Sequence, residues 1–400
     1  MTEYSNSCGE YDYDIAIIGG GIHGAGIAQA GAAAGYRVIC LEQGGWGAAT
    51  SSQSSKLIHG GLRYLQTGQL GLVRRCLQER DRLLQLAPDL VWLRRFYIPV
   101  YRQGRYSPEQ IRWALRTYYL LSGMRSTGQY TELAQEQWGQ LTGLQTRDLL
   151  AVFQYYDGQT DDRRLTQAVV RSAQALGAEM CSKARFSYAE REVKGYNIRW
   201  ESAEGQHGIR CRVLINAAGP WVQNVMAQIE VPPAQWQPAP MELVQGTHLI
   251  YEGALVERCY YVEAPEDGRA VFILPWLNKT LVGTTETPYA GKPEDILPTQ
   301  GEIDYLKQTL AFYFPFMGEE PSGFLCGLRV LPGDQQAAFF RDRDTRLVMD
   351  DESAPNLMAL YGGKLTDYRA TSAKVIRCLR SVLGEREQRA DTAHLFLADS

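Results

Sequence analysis

The start of the chain places short, mostly apolar runs on either side of an apolar helical stretch. Residues 14–18 form a run that predicts a buried strand. An Ala-rich stretch over residues 22–34 predicts a helix, which ends at Gly35, and residues 37–42 predict the next strand. A strand, a helix and a strand of these lengths are typical of a βαβ unit.

Helical periodicity returns in four later segments, each with apolar residues three or four positions apart. The first is followed by Pro88, which cannot continue a helix. The second starts at Asp161 and Asp162, whose carboxylates can cap a helix. The predicted helices cover residues 70–86, 162–176, 302–314 and 366–383.

Strand-like alternation dominates residues 241–285, between the second and third of these predicted helices. Residues 326–331 and 357–361 are also predicted to be strands. The predicted fold class is therefore α/β, a Rossmann-like nucleotide-binding domain with an inserted, mostly antiparallel-sheet substrate domain. The nucleotide-binding domain is predicted over residues 12–90, 151–230 and 355–385, a basic and aromatic helical segment over 91–150, and the substrate domain over 231–354.

Composition narrows the class of protein. An apolar share of 45% and a charged share of 22% are those of an ordinary globular protein. The net charge of −4 argues against nucleic acid as a partner, because phosphates require a basic face. No run approaches the roughly 18 apolar residues of a membrane span. The polar N-terminus differs from a secretory signal, and we expect a cytoplasmic protein.

The cysteines and histidines lack the spacing of a metal site. The chain has eight cysteines and five histidines, with no C-x-x-C pair and no H-x-x-x-H pair. We therefore expect no metal, and reduced cysteines that pack as small apolar side chains.

A glycine pattern follows the first predicted strand. Gly19 allows a tight turn, Gly21 lets the backbone approach a pyrophosphate, and Gly24 lets the helix pack closely on the sheet. Glu42 ends the second strand, where a carboxylate can accept hydrogen bonds from ribose hydroxyls and disfavours a 2′-phosphate. The pattern does not separate FAD from NAD, and a turn without a ligand is the alternative.

Later motifs favour FAD. The segments GGGIHGAG, TSSQSSKLIHGGLRYL, NAAGPW and GGKLTDYR occur in the order that resembles the FAD-dependent glycerol-3-phosphate dehydrogenase family. The resemblance runs from about residue 12 to 380, and its most specific part is the second motif, over residues 50–65. The shorter QGTHLI, ILPW, VGTTE and GLRVLP support it.

The resemblance implies FAD as the cofactor and assigns residues to it. His59 is expected to pack beside the flavin rather than to act in catalysis, and His23 is expected to be incidental. The implied cofactor-binding residues are Gly19, Gly21, Gly24, Glu42, Thr50, Ser51, Ser52, Ser55, Lys56, Leu57, His59, Gly60, Ala217, Gly219, Gly363, Lys364, Leu365 and Thr366.

The resemblance also implies oxidation of sn-glycerol 3-phosphate to dihydroxyacetone phosphate, with hydride passing from C2 to flavin N5. A dianionic phosphate requires cations, for which Arg63, Arg329 and Lys364 are candidates. Arg329 is expected to steady the developing oxyanion, and His248 to act as the base. Tyr64 and Thr285 are expected to contact the substrate. A structural role is the alternative for each residue.

The chain departs from the family pattern at several positions. Val330 replaces a proline after Arg329, Gln245 replaces a basic residue and so removes a phosphate contact, and Glu286 replaces an aspartate. The helical C-terminal domain usual in the family is not expected here. These departures leave the oligomeric state and the substrate open.

The resemblance implies a membrane quinone as the electron acceptor. An Arg-rich and aromatic stretch over residues 94–125 suits docking on anionic headgroups at the inner face of the cytoplasmic membrane. A solvated helix packed on its own domain is the alternative, and oxygen would then be an acceptor.

Two other functions stay open: an oxidase or dehydrogenase of another hydroxy acid, amino acid or phosphorylated polyol, and a non-catalytic flavin- or lipid-binding protein.

Overall fold

The computed structural model describes residues 11–231, 236, 240–317, 320–332 and 344–399. In chain order the strands are β1 (Tyr13–Ile18), β2 (Val38–Glu42), β3 (Leu57–Ile58), β4 (Val91–Tyr101), β5 (Tyr130–Glu132), β6 (Leu149–Thr160), β7 (Glu179–Ser182), β8 (Arg185–Glu192), β9 (Gly195–Ser202), β10 (Gly205–Asn216), β11 (Met241–Glu252), β12 (Cys259–Glu263), β13 (Ala270–Trp276), β14 (Lys279–Gly283), β15 (Thr287–Tyr289), β16 (Gly323–Pro332), β17 (Arg346–Met349) and β18 (Leu357–Tyr361). The helices are α1 (Ile22–Ala33), α2 (Leu70–Leu86), α3 (Pro108–Leu121), α4 (Asp162–Ala175), α5 (Val222–Met226), α6 (Gln300–Tyr313) and α7 (Tyr368–Leu383).

The first sheet has the order β17-β18-β10-β1-β2-β7, in which the strands from β18 to β7 are parallel. Ile15, Ala16 and Ile17 of β1 are fully buried, because both faces of the sheet are covered. Helices α1 and α7 pack on one face. The hairpin of β8 and β9 contributes Phe186 and Ile198 to the core on the other face. This layering is the Rossmann-like part of the fold.

The second sheet has the order β15-β11-β14-β13-β12-β4-β6-β3, and β16 and β5 pair with β11 and β6. Its pairs are antiparallel except for β12 with β4. Leu306 and Leu310 of α6 pack on one face, against Leu249 and Val282. Helices α2 and α3 cover the other face.

Most predicted elements are confirmed. Helix α2 and strand β18 have the predicted bounds, and the sheet predicted over residues 241–285 contains β11 to β14. The Asp161 carboxylate caps α4 by accepting the Arg164 N–H at 3.0 Å. The fold class is confirmed as well.

The helical prediction over residues 91–150 is wrong for its first part, which is the 11-residue strand β4. Phe96, Ile98 and Val100 alternate inward along β4, which pairs with β6 and β12. Strand pairing therefore decides the structure of the first part of this basic and aromatic segment. The helix α3 follows within the same segment.

The predicted boundary at residue 151 falls inside β6, a strand of the second sheet. The domain division itself stays a prediction, and residues 333–343 of the predicted substrate domain lie outside the described residues. Within the described ranges, no helix is both long enough and apolar enough to cross a membrane.

Candidate active site

A cavity of about 960 Å³ opens between the two sheets. Its walls come from the carboxyl ends of β1, β2, β10 and β18 on one side, and from β13 and β16 on the other. Ligands of open α/β sheets bind at this edge. The volume is at the upper end of the range for small-molecule and cofactor sites.

The glycine turn forms one end of the cavity. Gly19 has φ of +108°, and a Cβ at position 24 would lie 1.8 Å from the Gly19 carbonyl oxygen, so the turn requires glycine at both positions. Gly21 precedes the first residue of α1. The start of this helix therefore faces the cavity with its positive end, which suits a diphosphate.

Glu42 lies beside this turn. Its two carboxylate oxygens accept the Gly20 N–H at 2.6 Å and the Gly44 N–H at 2.7 Å. These bonds orient the carboxylate at the cavity wall, where its remaining lone pairs can accept ribose hydroxyls.

A second glycine turn closes the cavity from the far side. Gly362 and Gly363 have φ of +75° and +110°, and the 3-10 turn Leu365–Asp367 follows and leads into α7. Leu365 and Thr366, just before α7, line the cavity. A Cβ at position 363 would lie 2.1 Å from His23 Nε2, so the two turns are in contact.

The segment 50–65 crosses the cavity between these turns. Thr50 Oγ1 donates to the Leu328 carbonyl at 2.9 Å, and the Ile22 N–H donates to Ser51 Oγ at 2.9 Å. The segment therefore joins α1 to β16. Predicted cofactor residues that line the cavity are Gly19, Gly21, Glu42, Thr50, Ser51, Ser55, Leu57, His59, Ala217, Gly219, Gly363, Lys364, Leu365 and Thr366.

Gly24, Ser52, Lys56 and Gly60 do not line the cavity. The Lys56 ammonium is buried and donates to Asp162 Oδ1 at 2.7 Å and to the Ser52 carbonyl at 2.7 Å. Lys56 therefore anchors the segment to α4 rather than contacting a cofactor. Gly24 and Gly60 act through close packing of the backbone.

Three cations that are distant in the sequence meet at the substrate end of the cavity. Arg63 NH1 lies 3.0 Å from Glu286 Oε1, and Arg329 NH1 lies 3.6 Å from the same oxygen. Burial disfavours the charge of Arg63, but Glu286 outweighs this and raises the pKa of the guanidinium. Glu286 thus holds the two arginines side by side and charged.

Lys364 is the third cation. Its Nζ donates to Cys76 Sγ at 3.4 Å and lies 4.3 Å from the centre of the Tyr64 ring. Burial opposes the ammonium, but the nearby Cys76, Tyr64 and Asp367 raise its pKa. Within the described ranges no carboxylate oxygen lies within 4 Å of Lys364 Nζ, so its charge is available to an anion.

His248 does not line the cavity, although Ser55, its partner, does. His248 Nε2 and Ser55 Oγ share a hydrogen bond of 2.8 Å, and the ring is 1% exposed. Burial, followed by the charges of Arg329 and Lys56, lowers the pKa of His248 to about 3. The structure therefore places a neutral imidazole behind the wall rather than against a substrate.

His59, by contrast, lies on the wall. Burial and the charges of Lys364 and Arg63 hold the pKa of His59 well below its usual range. Its ring meets Phe272 edge-on with centroids 6.1 Å apart.

Thr285 also lies outside the wall. Its hydroxyl donates to Glu302 Oε1 at 2.6 Å and accepts the Thr247 N–H at 2.9 Å. Gln245 Nε2 donates to the same carboxylate at 2.5 Å. The predicted substrate contact of Thr285 is thus replaced by a structural role, in which Thr285 fixes the strand ends near Arg329.

Several wall residues were missed by sequence reasoning. Gln53 lines the cavity and accepts the Cys326 N–H at 3.2 Å, although only its neighbours were predicted to bind the cofactor. Tyr261 and Phe272 lie on β12 and β13, where alternation made them resemble core residues. No local signal distinguishes an aromatic side chain that faces a cavity from one that faces a core.

The residues present fit FAD. Two glycine turns that a Cβ would block, the start of α1 and an oriented carboxylate line one cavity. Gly19, Gly21 and Glu42 would hold the adenosine diphosphate half, while Gly363 and Thr366 would lie at the ring end. In the described part of the chain, no group of three or more potential metal ligands occurs.

This fold and cavity define a flavin-dependent oxidoreductase with a Rossmann-like cofactor domain and an antiparallel substrate sheet. The family model for FAD dependent oxidoreductases matches residues 14–369. The chain belongs to this family of FAD-dependent enzymes.

Among curated relatives, a glycerol-3-phosphate dehydrogenase of Pseudomonas tolaasii is 35% identical over 369 residues, which cover 89% of this chain and 69% of that protein. A D-erythritol 1-phosphate dehydrogenase of Brucella abortus is 31% identical over 391 residues, covering 92% and 74%. Among solved structures, the glycerol-3-phosphate dehydrogenase from Bacillus halodurans complexed with FAD has a TM-score of 0.76 at 23% identity, covering 97% of this chain and 68% of that one.

Proposed function

We propose that this enzyme oxidises sn-glycerol 3-phosphate to dihydroxyacetone phosphate. The observation that carries the proposal is the convergence of Arg63, Arg329 and Lys364 on one end of the cavity. Bound FAD would supply the two-electron acceptor, taking hydride from C2 of the substrate at N5. The relatives named above make a phosphorylated polyol the natural substrate class.

Two of the cations would bind the substrate phosphate, and the third would act at the reacting carbon. Lys364 and Arg63, which both lie over the Tyr64 ring, would bind the phosphate dianion. Arg329 extends from β16 beside Glu286 and would steady the oxygen at C2 as negative charge develops there. The Arg63 and Arg329 side chains are largely buried, so their charges are less screened than at the surface.

The hydroxyl proton requires a neutral acceptor. His248 was the sequence candidate, but of the two histidines His59 is the one that lines the cavity. Both are held neutral at pH 7 by burial. We propose that His59 accepts the proton and that His248 orients Ser55 at the wall.

Anaerobic titration of the purified holoprotein tests the function. Glycerol 3-phosphate should bleach the flavin absorbance, whereas glycerol, which lacks the phosphate, should not. Bleaching by an amino acid or a hydroxy acid instead would favour an oxidase or dehydrogenase of that class. No bleaching by any of these, together with firm liposome binding, would favour a non-catalytic protein.

Arg329→Ala and Lys364→Ala should retain FAD but lose reduction by glycerol 3-phosphate, by about 100-fold or more in kcat/KM, because each removes a charge-assisted contact. Stopped-flow flavin absorbance measures this loss. Lys279→Ala, which removes an exposed cation paired with Glu252, is the matched control and should behave as wild type. Full reduction of either site variant at wild-type substrate concentrations would remove its assigned role.

His59→Asn and His248→Asn separate the two proton acceptors. The His59 variant should lower the rate of reduction at saturating substrate with little change in flavin content. The His248 variant should change the rate much less. The opposite ranking would restore His248 as the base.

We further propose that electrons pass to a membrane quinone at the inner face of the cytoplasmic membrane. Trp113, Leu120 and Met124 are exposed on and just beyond one face of α3, and Arg116 lies over the Trp113 ring. Aromatic and cationic groups favour the interface of an anionic bilayer. Sedimentation with vesicles containing phosphatidylglycerol should weaken on Trp113→Ala, whereas unchanged sedimentation would exclude this face.

A larger phosphorylated polyol is the second candidate substrate. The Brucella abortus relative is a D-erythritol 1-phosphate dehydrogenase, similar over most of this chain. Comparing kcat/KM for erythritol phosphate and glycerol 3-phosphate decides between the two.

A further inference from the structure

A buried cation behind the cavity wall is not accounted for by cofactor or substrate binding. Arg80 on α2 is fully buried. Its NH1 donates to Asp157 Oδ1 and to the Tyr156 carbonyl, both at 3.0 Å, and its NH2 donates to Asp81 Oδ1 at 2.9 Å. A buried charge is costly unless it is paired and hydrogen-bonded. Because the Arg80 guanidinium is hydrogen-bonded to Asp81, Asp157 and the Tyr156 carbonyl, it holds the Asp157 carboxylate in a fixed orientation.

The network leads to one backbone amide. The Tyr118 hydroxyl on α3 donates to Asp157 Oδ2 at 2.7 Å and accepts the Gly60 N–H at 2.9 Å. Asp157 Oδ1 also accepts this N–H, at 3.3 Å. A Cβ at position 60 would lie 2.4 Å from the Tyr118 oxygen, so glycine permits the approach.

Gly60 begins the turn that carries Arg63, a proposed phosphate ligand, and Tyr64, a predicted substrate contact. Gly61 has φ of +81°, and the 3-10 turn Leu62–Leu65, which contains Arg63 and Tyr64, follows at once. On the other side of the turn, the His59 N–H donates to Thr366 Oγ1 at 3.1 Å. The turn is therefore clamped between the start of α7 and the Tyr118 hydroxyl.

We propose that Tyr118 is a positioning residue for the substrate phosphate, acting through the Gly60 N–H on the turn that presents Arg63 and Tyr64. Arg80 and Asp157 fix the direction of the Tyr118 hydroxyl. Tyr118 is 1% exposed and is not one of the residues that line the cavity, so it acts without touching the substrate. The inference rests on the proposed function for the identity of the anion.

This role predicts an effect on binding rather than on the redox step. Loss of the hydroxyl leaves the Gly60 N–H with one long bond to Asp157, which loosens the turn. Arg329 lies on β16, outside this turn, and His59, the proposed proton acceptor, keeps its two backbone hydrogen bonds with Thr366 Oγ1. The phosphate contacts should weaken while the reacting carbon stays in place.

Tyr118→Phe is the test, since it keeps the ring and its edge-on contact with Tyr155. We expect KM for glycerol 3-phosphate to rise about tenfold with kcat within about twofold of wild type, and FAD content to be unchanged. The inhibition constant of inorganic phosphate should rise in parallel. Tyr101→Phe is the matched control, because Tyr101 is also buried and donates to the Gln145 carbonyl away from the cavity; it should keep wild-type values.

The outcomes are separable. If glycerol 3-phosphate does not reduce the wild-type flavin, the proposed function fails. The role of Tyr118 can then still be tested by measuring the binding of inorganic phosphate through the change in the flavin spectrum. If wild type is active but Tyr118→Phe keeps its KM and phosphate inhibition, or loses kcat instead, the positioning role is wrong. Asp157→Asn provides a second variant should Tyr118→Phe not fold, with a rise in KM in the same direction expected.

Discussion

Buried polar side chains in this protein are held in one charge state by their surroundings. Glu302 accepts hydrogen bonds from Thr285, Thr287 and Thr299; burial opposes its charge, but these bonds outweigh burial and lower the pKa of the carboxyl. His248 shows the opposite case, since burial and two cations keep it neutral. The charge at each position follows from the balance between desolvation and partners.

His248 should make the protein less stable in mild acid. Its pKa is about 3 in the folded protein against a usual 6.5, so the unfolded chain binds a proton that the folded chain does not. Above pH 6.5 the titration of His248 does not reduce the free energy of unfolding. Below pH 6.5 the free energy of unfolding falls as the pH drops towards 3, because only the unfolded chain binds the proton. Between pH 7 and 5 the loss is about 2 kcal/mol.

His248→Gln removes this titration while keeping a polar group near Ser55. The free energy of unfolding, measured with urea, should fall between pH 7 and pH 5 by about 2 kcal/mol less in the variant than in wild type. His394→Gln, at an exposed position, is the control and should leave the pH dependence unchanged. An identical pH dependence in His248→Gln and wild type would contradict the assignment.

At the scale of elements, helix α1 illustrates how small residues set a packing distance. A Cβ at Gly26 would lie 2.6 Å from Ser372 Oγ on α7, and one at Gly31 would lie 2.9 Å from Val38 on β2. The helix is buried on all sides except at its first turn. Its glycines therefore allow α7 and the sheet to approach closely, which brings the two cofactor turns together.

Gly24→Ala should abolish FAD binding and destabilise the fold by several kcal/mol, because the methyl group would lie 1.8 Å from the Gly19 carbonyl oxygen. FAD content after purification and thermal unfolding measure the effect. Gly71→Ala is the control within α2, where nothing lies within 4 Å of the added methyl, and it should raise stability by about 0.5–1 kcal/mol. Retention of FAD by Gly24→Ala would show that the close approach of the Gly19 carbonyl oxygen does not require glycine at position 24.

At the scale of the whole molecule, the two sheets are joined by contacts around the segment 50–65. Lys56 precedes β3 of the second sheet, and its partner Asp162 begins α4, which packs with the first sheet. Lys56 and Asp162 are almost completely buried. The cavity depends on such contacts because its walls come from both sheets.

Lys56→Met should destabilise the protein by about 3–5 kcal/mol, because it leaves the Asp162 carboxylate buried without its cation. Chemical denaturation monitored by circular dichroism provides the measurement. Lys279→Met breaks an exposed pair with Glu252 and should cost less than about 1 kcal/mol. Equal effects of the two substitutions would show that burial does not set the strength of the Lys56 pair.

The elements that sequence reasoning predicted are those with a strong local period. Helix α2 and strand β18 have short-range apolar patterns that match their final environment. Strand β4 was missed because Arg94 and Arg95 obscure its alternation, and its structure depends on pairing with β6, about fifty residues later. Long-range pairing overrides local composition there.

For the site, the sequence by itself determined which residue types are available: the glycines of both turns, Glu42 and the three cations. The first glycine turn and Glu42 could be predicted because each answers a local requirement of backbone geometry or charge. The second turn and the cations were predicted from the resemblance of the motifs that contain them. Only the tertiary structure decided which of them share a cavity. In the folded protein Lys56 pairs with Asp162, Thr285 with Glu302, and Arg63 with Glu286, and His248 lies behind the cavity wall. The sequence could not show these contacts, because they form only once distant segments of the chain have come together.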